Sequence, residues 1–234
     1  FTYRASDGFL TSNVVTATIN VSLATSFTCD YYASPTGTAS GSGTISSPWD
    51  LRSALSKTTL VTGGKILCLR GGTYRGKYRS RLNGAVVRSA PSEWAVIDGF
   101  STTTLVSAIS ASQTSFTVAD GSVLSYPAGS DTGVGVLAEG ELIAVYGITG
   151  NNVTQASRGG ATGTSPPIPH PAGTTLYVRG TNLWVEGNST TYRDFEITNS
   201  IPFRDRDTTC ENIRGIGIQN VASGNKFINM VVHD

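Results

Sequence analysis

The run Lys65-Ile66-Leu67-Cys68-Leu69-Arg70-Gly71-Gly72-Thr73-Tyr74-Arg75 narrows the folds open to this chain more than any other stretch. Two strand-like segments meet at a glycine pair, a turn that a β-carbon would obstruct, and Tyr74 lies beyond it on the next strand. Short apolar runs of this kind recur along the whole chain. With 27 glycines and a single methionine among 234 residues, the pattern is that of an all-β protein with many turns and a real core. No apolar run approaches the length needed to cross a bilayer, so no membrane span is expected. Charged residues make up only 14%, with 17 basic against 16 acidic, which leaves no electrostatic case for nucleic acid or an anionic membrane surface.

Cysteine usage adds a constraint on compartment. Cys29, Cys68 and Cys210 are widely spaced with no CxxC pair, so a metal knuckle is not expected. One structural disulfide beside one buried thiol suits a secreted chain, and spacing leaves the pairing open. Sequons at Asn20, Asn152 and Asn188 matter only in a glycosylating host, and a chain rich in serine and threonine produces such matches by chance. The chain opens on Phe1 rather than Met, so a piece of a longer protein, with any export signal outside it, is expected.

Four motifs occur in order: Tyr31-Tyr32-Ala33-Ser34-Pro35-Thr36-Gly37, Gly43-Thr44-Ile45-Ser46-Ser47-Pro48-Trp49, Leu69-Arg70-Gly71-Gly72-Thr73-Tyr74-Arg75 and Val96-Ile97-Asp98-Gly99. Together they resemble the N-terminal cap of right-handed parallel β-helix proteins, the pectate-lyase-like superfamily. The residues agree with a cap. Ser47 is placed to cap a helix starting at Pro48, with Asp50 in its first turn, and Trp49, Leu51, Ala54 and Leu55 form one apolar stripe. Such a helix would cover the first coil, whose core is otherwise open. In this resemblance Arg70 and Arg75 take structural roles in the cap. Cys68 falls on the strand face opposite Leu67 and Leu69 and reads as a structural thiol or disulfide partner.

Residues 101–180 break the pattern. Short strands around Leu105, Phe116, Leu142–Tyr146 and Val153, then Arg158-Gly159-Gly160 and a proline-rich turn carrying His170, resemble a small β-module of phage tail and surface proteins. His170, flanked by Pro169 and Pro171, reads as a turn residue. From residue 181 the solenoid resumes, with Tyr192-Arg193-Asp194-Phe195-Glu196-Ile197 and Asn225-Lys226-Phe227-Ile228 resembling the same superfamily's strands. Residues 1–22 alternate with period two around an Asp7-Gly8 turn and resemble the last two strands of a bacterial immunoglobulin-like or cadherin-like repeat.

The expected fold is thus all-β: a capped right-handed parallel β-helix over 28–100 and 181–234, an inserted β-module over 101–180, and an N-terminal immunoglobulin-like hairpin over 1–22 that is either a partial domain or a strand donated to a neighbouring copy. Pectate-lyase-like enzymes use carboxylate-bound Ca²⁺ with an Arg or Lys base, and β-helix hydrolases use paired carboxylates. The candidate substrate-binding residues are Arg193, Glu196, Arg204 and Arg206. Ca²⁺ is the candidate cofactor, with Asp194, Asp205 and Asp207 as ligands. Asp194 and Glu196, two apart on a strand, should share a face that suits Ca²⁺ or solvent equally. No catalytic motif is matched. The expectation is an extracellular or cell-surface structural module, contacting polysaccharide and associating into a homo-oligomer or fibre through β-strand contacts. The alternative is the N-terminal portion of a secreted polysaccharide lyase or hydrolase.

Overall fold

A computed structural model of the chain describes residues 2–3, 9–13, 15–16, 27–124, 134–159, 165–201, 214–219 and 221–233. Asn20, Arg204, Asp205, Arg206, Asp207 and Cys210 lie outside the described residues. At the N-terminus β1 (Thr2–Tyr3) pairs antiparallel with β2 (Val15–Thr16). Then come β3 (Tyr31–Ala33), helix α1 (Leu51–Ala54), β4 (Ile66–Leu69), β5 (Gly72–Arg75), β6 (Tyr78–Ser80), β7 (Val86–Ser89) and β8 (Ala95–Asp98). A second unit follows, with β9 (Thr102–Thr104), β10 (Phe116–Thr117), β11 (Val134–Ala138), β12 (Glu141–Thr149), β13 (Asn152–Ser157) and β14 (Thr175–Val178). The last strands are β15 (Thr181–Val185), β16 (Thr191–Arg193), β17 (Glu196–Thr198), β18 (Arg214–Ile218), β19 (Lys226–Ile228) and β20 (Val231–Val232). The described residues are all-β apart from α1 and one 3₁₀ turn, and no helix among them is long and apolar enough to cross a membrane.

Outside the second unit and the terminal hairpin, every named strand belongs to one of three parallel sheets, ordered β3-β4-β7-β16-β19, β5-β8-β17-β20 and β6-β15-β18. Three successive passes (β4-β5-β6, β7-β8-β15 and β16-β17-β18) each lay one strand on each sheet, in register with the pass before, while β3 begins the first sheet and β19 and β20 extend the first and second. Register lines up Tyr31, Leu67, Val87, Tyr192 and Phe227 in one inward file, and Tyr74, Ile97, Ile197 and Val232 in another. The rings of Tyr192 and Phe227 stack 5.2 Å apart, a spacing set by neighbouring parallel strands. The alternating pattern of each strand therefore merges into one continuous core.

The cap forms with a shifted start. Helix α1 is capped by Asp50, whose carboxylate accepts from the Ser53 amide at 2.9 Å, and Ser47 is not the cap. The reason lies in Trp49. Its amide donates to the Tyr32 carbonyl at 3.0 Å and its carbonyl accepts from Ser34 at 2.9 Å, so residue 49 is committed to an extended bridge and the helix begins after it. The apolar stripe forms nonetheless: Trp49, Leu51, Ala54 and Leu55 are all buried, and Tyr31 stacks on Trp49 at 5.2 Å. Beyond β4, Gly72 takes φ +123°, where L side chains rarely sit. Arg70 is held in the cap by both oxygens of Glu93, at 2.8 and 3.0 Å.

The second unit is a six-stranded antiparallel sheet, ordered β10-β13-β12-β11-β14-β9, with its own core of Leu105, Val118, Val136, Ile143 and Leu176. The β11–β12 hairpin turns on Glu139 and Gly140, both at positive φ (47° and 89°), the conformation of a two-residue type I′ turn. A polar cluster forms within the coils, beside the points where the chain leaves for the unit and returns. Asn182 accepts from Lys77 Nζ at 3.1 Å and from Asn199 at 3.0 Å, and donates to the Thr198 carbonyl at 2.9 Å. Burial pushes Lys77 down to about 7, against the nearby charge of Asp98. A β-carbon at Gly99 would overlap the Asn182 side chain, so this crossing needs glycine.

Cys68 is bonded to Cys29, with Cα atoms 5.7 Å apart and a sequence separation of 39. The bond ties the entry of the first coil to the centre of β4. Closing a loop of that length in the unfolded chain corresponds to about 3–4 kcal/mol. Replacing both cysteines by alanine is therefore expected to lower unfolding stability by about that amount, and reductant should lower the parent to the same level. Denaturant unfolding of the two proteins, each with and without reductant, measures both.

Candidate functional site

Parallel register sets the electrostatic problem at one corner of the coils. Arg193, at the end of β16, pairs directly with Arg88 of β7, so two cations stand side by side one coil apart. Like charges in register repel unless an anion sits between them. Asp194 supplies it: its Oδ2 lies 2.6 Å from Arg88 Nη2 and 2.8 Å from Arg193 Nε, and its Oδ1 accepts from Asn229 Nδ2 at 2.9 Å. Burial works to raise the Asp194 carboxyl, but the bonds from Arg193 and Asn229 and the charge of Arg88 outweigh it and hold it below its usual range. The Arg88 guanidinium also lies 3.5 Å from the centre of the Phe27 ring.

Asp194 adopts φ +58° and turns the chain between β16 and β17. That corrects the expectation that Asp194 and Glu196 share one strand face. The corner sends Phe195 into the core, fully buried, and puts the two carboxylates in different surroundings. Glu196 opens β17 and points outward. Its Oε1 lies 2.9 Å from His233 Nε2 and its Oε2 accepts from the Trp94 indole Nε1 at 3.2 Å. The bonds from His233 and then Trp94 hold Glu196 below the usual carboxylate range. The Trp94 ring is 43% exposed, an apolar plate pinned by its polar edge to a rigid parallel sheet.

Of the residues picked out by sequence, Arg193, Asp194 and Glu196 thus come to neighbouring positions around one turn. Asn152 is exposed on β13, its Oδ1 accepting from Thr117 at 2.8 Å. Asn188 belongs to a turn ladder: its amide donates to Asn83 Oδ1 at 2.9 Å and its own Oδ1 accepts from the Ser223 amide at 2.8 Å. Among the described residues no group of three or more His, Cys, Asp or Glu side chains converges to hold a metal ion. Trp94 escaped the sequence reading. Its one local signal is a tryptophan three residues after a proline at the entrance to a strand, and its partner Glu196 is 102 residues away.

No protein-family model matches the chain, and no curated protein matches it. Among solved structures it is similar to a complex of XylC with xylose, at 12% identity over 72% of this chain and 40% of that one, with a TM-score of 0.33. A glycoside hydrolase is similar at 13% identity over 73% of this chain and 50% of its own, also with a TM-score of 0.33. The Gp54 tailspike of Acinetobacter baumannii bacteriophage AP22, solved with A. baumannii capsular saccharide, is similar at 14% identity over 72% of this chain and 31% of its own, with a TM-score of 0.23. The chain thus spans half or less of the length of each. Likeness this faint carries no weight for function.

Asp194→Asn keeps a residue type that tolerates positive φ but removes the anion between Arg88 and Arg193, and is expected to cost about 1.5–3 kcal/mol at neutral pH. The Asp194 carboxyl is depressed in the folded state, so its contribution is present above the unfolded value of about 3.9 and fades as pH falls through the folded one. Urea unfolding of both proteins at pH 7 and at successively lower pH should show the gap closing only below about pH 4.

Proposed function

We propose that the coil stack is the beginning of a right-handed parallel β-helix in an extracellular surface module, and that the module engages polysaccharide at the Trp94–Glu196–His233 face without catalysing a reaction. The observation that carries this reading is the Trp94 ring, exposed and yet fixed through its indole nitrogen to Glu196. A sugar ring stacks on such a plate with little ordering cost, because the plate is already immobile. Glu196 and His233 stand at its edge as hydrogen-bonding groups for hydroxyls. The Cys29–Cys68 disulfide favours an oxidising compartment.

A lyase or hydrolase working at this corner is the weaker reading. A general acid needs a carboxyl whose pKa is raised, whereas Asp194 and Glu196 are both held ionised by their partners. Association into a homo-oligomer through β-strand contacts belongs to the same reading.

Trp94→Ala is expected to weaken polysaccharide binding about tenfold, equivalent to ~1.4 kcal/mol, with little change in unfolding temperature because the ring is half-exposed. Indole fluorescence and affinity electrophoresis over a panel of neutral and acidic polysaccharides read this directly. A panel without any binder, or a binder indifferent to Trp94, would sink the proposal. Sedimentation at micromolar concentration reads the assembly: a monomer would remove the homo-oligomer while leaving saccharide binding standing.

A further inference from the structure

The inserted unit encloses a four-residue charge cluster far from the Trp94 face. His170 does not sit in a solvated turn as the prolines around it suggested. Its amide and carbonyl pair with Ile109, both at 2.9 Å, and its side chain is fully buried. Nε2 lies 2.9 Å from Glu141 Oε2, and Nδ1 lies 2.8 Å from Glu139 Oε2.

Hydrogen-bond accounting assigns both ring protons. The Glu141 carboxylate, itself buried, is gripped by Arg158 Nε and Nη2 at 2.7 and 2.8 Å and by the amides of Gly159 and Ile168 at 3.1 and 3.0 Å. Burial opposes its ionisation, but Arg158, Ile168 and His170 outweigh that and hold its carboxyl low. An ionised carboxylate only accepts, so Nε2 must donate to it. Glu139 has a half-exposed side chain on the β11–β12 turn, and its ionised oxygen likewise requires a proton on Nδ1. The charged groups meeting the ring are Glu139 from that turn and Glu141 from β12, with Arg158 at the end of β13 completing the cluster; the Ile109 segment offers backbone only. Two anions and two cations then balance, which is what a buried set of charges requires.

We propose that His170 is a buried imidazolium serving as a proton-dependent clasp within the inserted unit. While the ring carries both protons, it ties the Glu139–Gly140 turn to the 165–173 segment and, through Arg158, to the carbonyls of Ser110, Gln113 and Ile168. When the Nδ1 proton leaves to solvent, a nitrogen lone pair faces a carboxylate oxygen at hydrogen-bond distance. Nε2–H stays on Glu141, and Glu139, already half in water, swings away. The clasp holds while the ring carries both protons and opens at Nδ1 when that proton leaves. The inserted unit is thus tight on the acid side and loosened at its β11–β12 tip on the alkaline side.

The test is long-range ¹H–¹⁵N NMR on the full chain labelled at its two histidines, His170 and His233, from pH 5 to 10, with His233→Gln assigning the signals. The expected result is a His170 ring with two protonated nitrogens at pH 7. Glu139→Gln, a change on the surface turn, should lower its proton affinity about tenfold, and amide exchange at residues 139–140 should accelerate at least tenfold above the wild-type titration. A ring with one protonated nitrogen throughout, or a titration unmoved in Glu139→Gln, overturns the proposal.

Discussion

In-register stacking of parallel strands is the constraint on which this structure depends. Each strand residue lies directly beside its register partner one coil earlier, so whatever the sequence places at equivalent positions is brought into contact. For apolar residues this is an advantage: Leu67, Val87 and Tyr192 are buried along one file, and Tyr192 stacks on Phe227. For charged residues it is a difficulty, since Arg88 and Arg193 arrive side by side. Asp194 resolves it from the corner, where a left-handed backbone lets its carboxylate reach both guanidinium groups. The corner chemistry therefore follows from the stacking itself.

The same register fixes the Trp94 face. Val96, Glu196 and Val231 are neighbours across β8, β17 and β20, so the carboxylate that pins the indole comes from the next coil. Side chains held from two coils cannot drift independently. That rigidity separates this tryptophan from an ordinary exposed aromatic, because an immobile plate loses little entropy when something stacks on it.

The inserted unit solves a different problem. Its antiparallel sheet has an apolar core, but Glu141 lies almost fully buried in β12. Removing a carboxylate from water is costly unless its oxygens are saturated, and here they receive five bonds, from Arg158, two backbone amides and His170. These partners lie just after β13 and on the segment before β14, so one anion gathers the ends of several segments. The unit and the coils have separate apolar cores, and Asn182, Lys77, Asn199 and Asp98 form a polar cluster in the coils beside the points where the chain leaves for the unit and returns.

Local pattern was enough for the sequence alone to determine much of the architecture. The glycine pair at 71–72, the stripe Trp49–Leu55 and the short alternating runs are decided by neighbours within a few residues, and they marked an all-β chain with a capped first coil and a break after Gly99. The helix start was misplaced by three residues because Trp49 is claimed by Tyr32 and Ser34, partners that helix signals do not register. Tertiary structure alone decided which cysteine meets Cys68, what neutralises Asp194, what anchors Trp94, and that His170 lies buried between two glutamates. Each of these contacts joins residues distant in sequence, 102 apart for Trp94 and Glu196, or brings together more than two partners at once. Burial and hydrogen-bond partnership belong to the assembled coils, and a linear pattern of residue types carries neither.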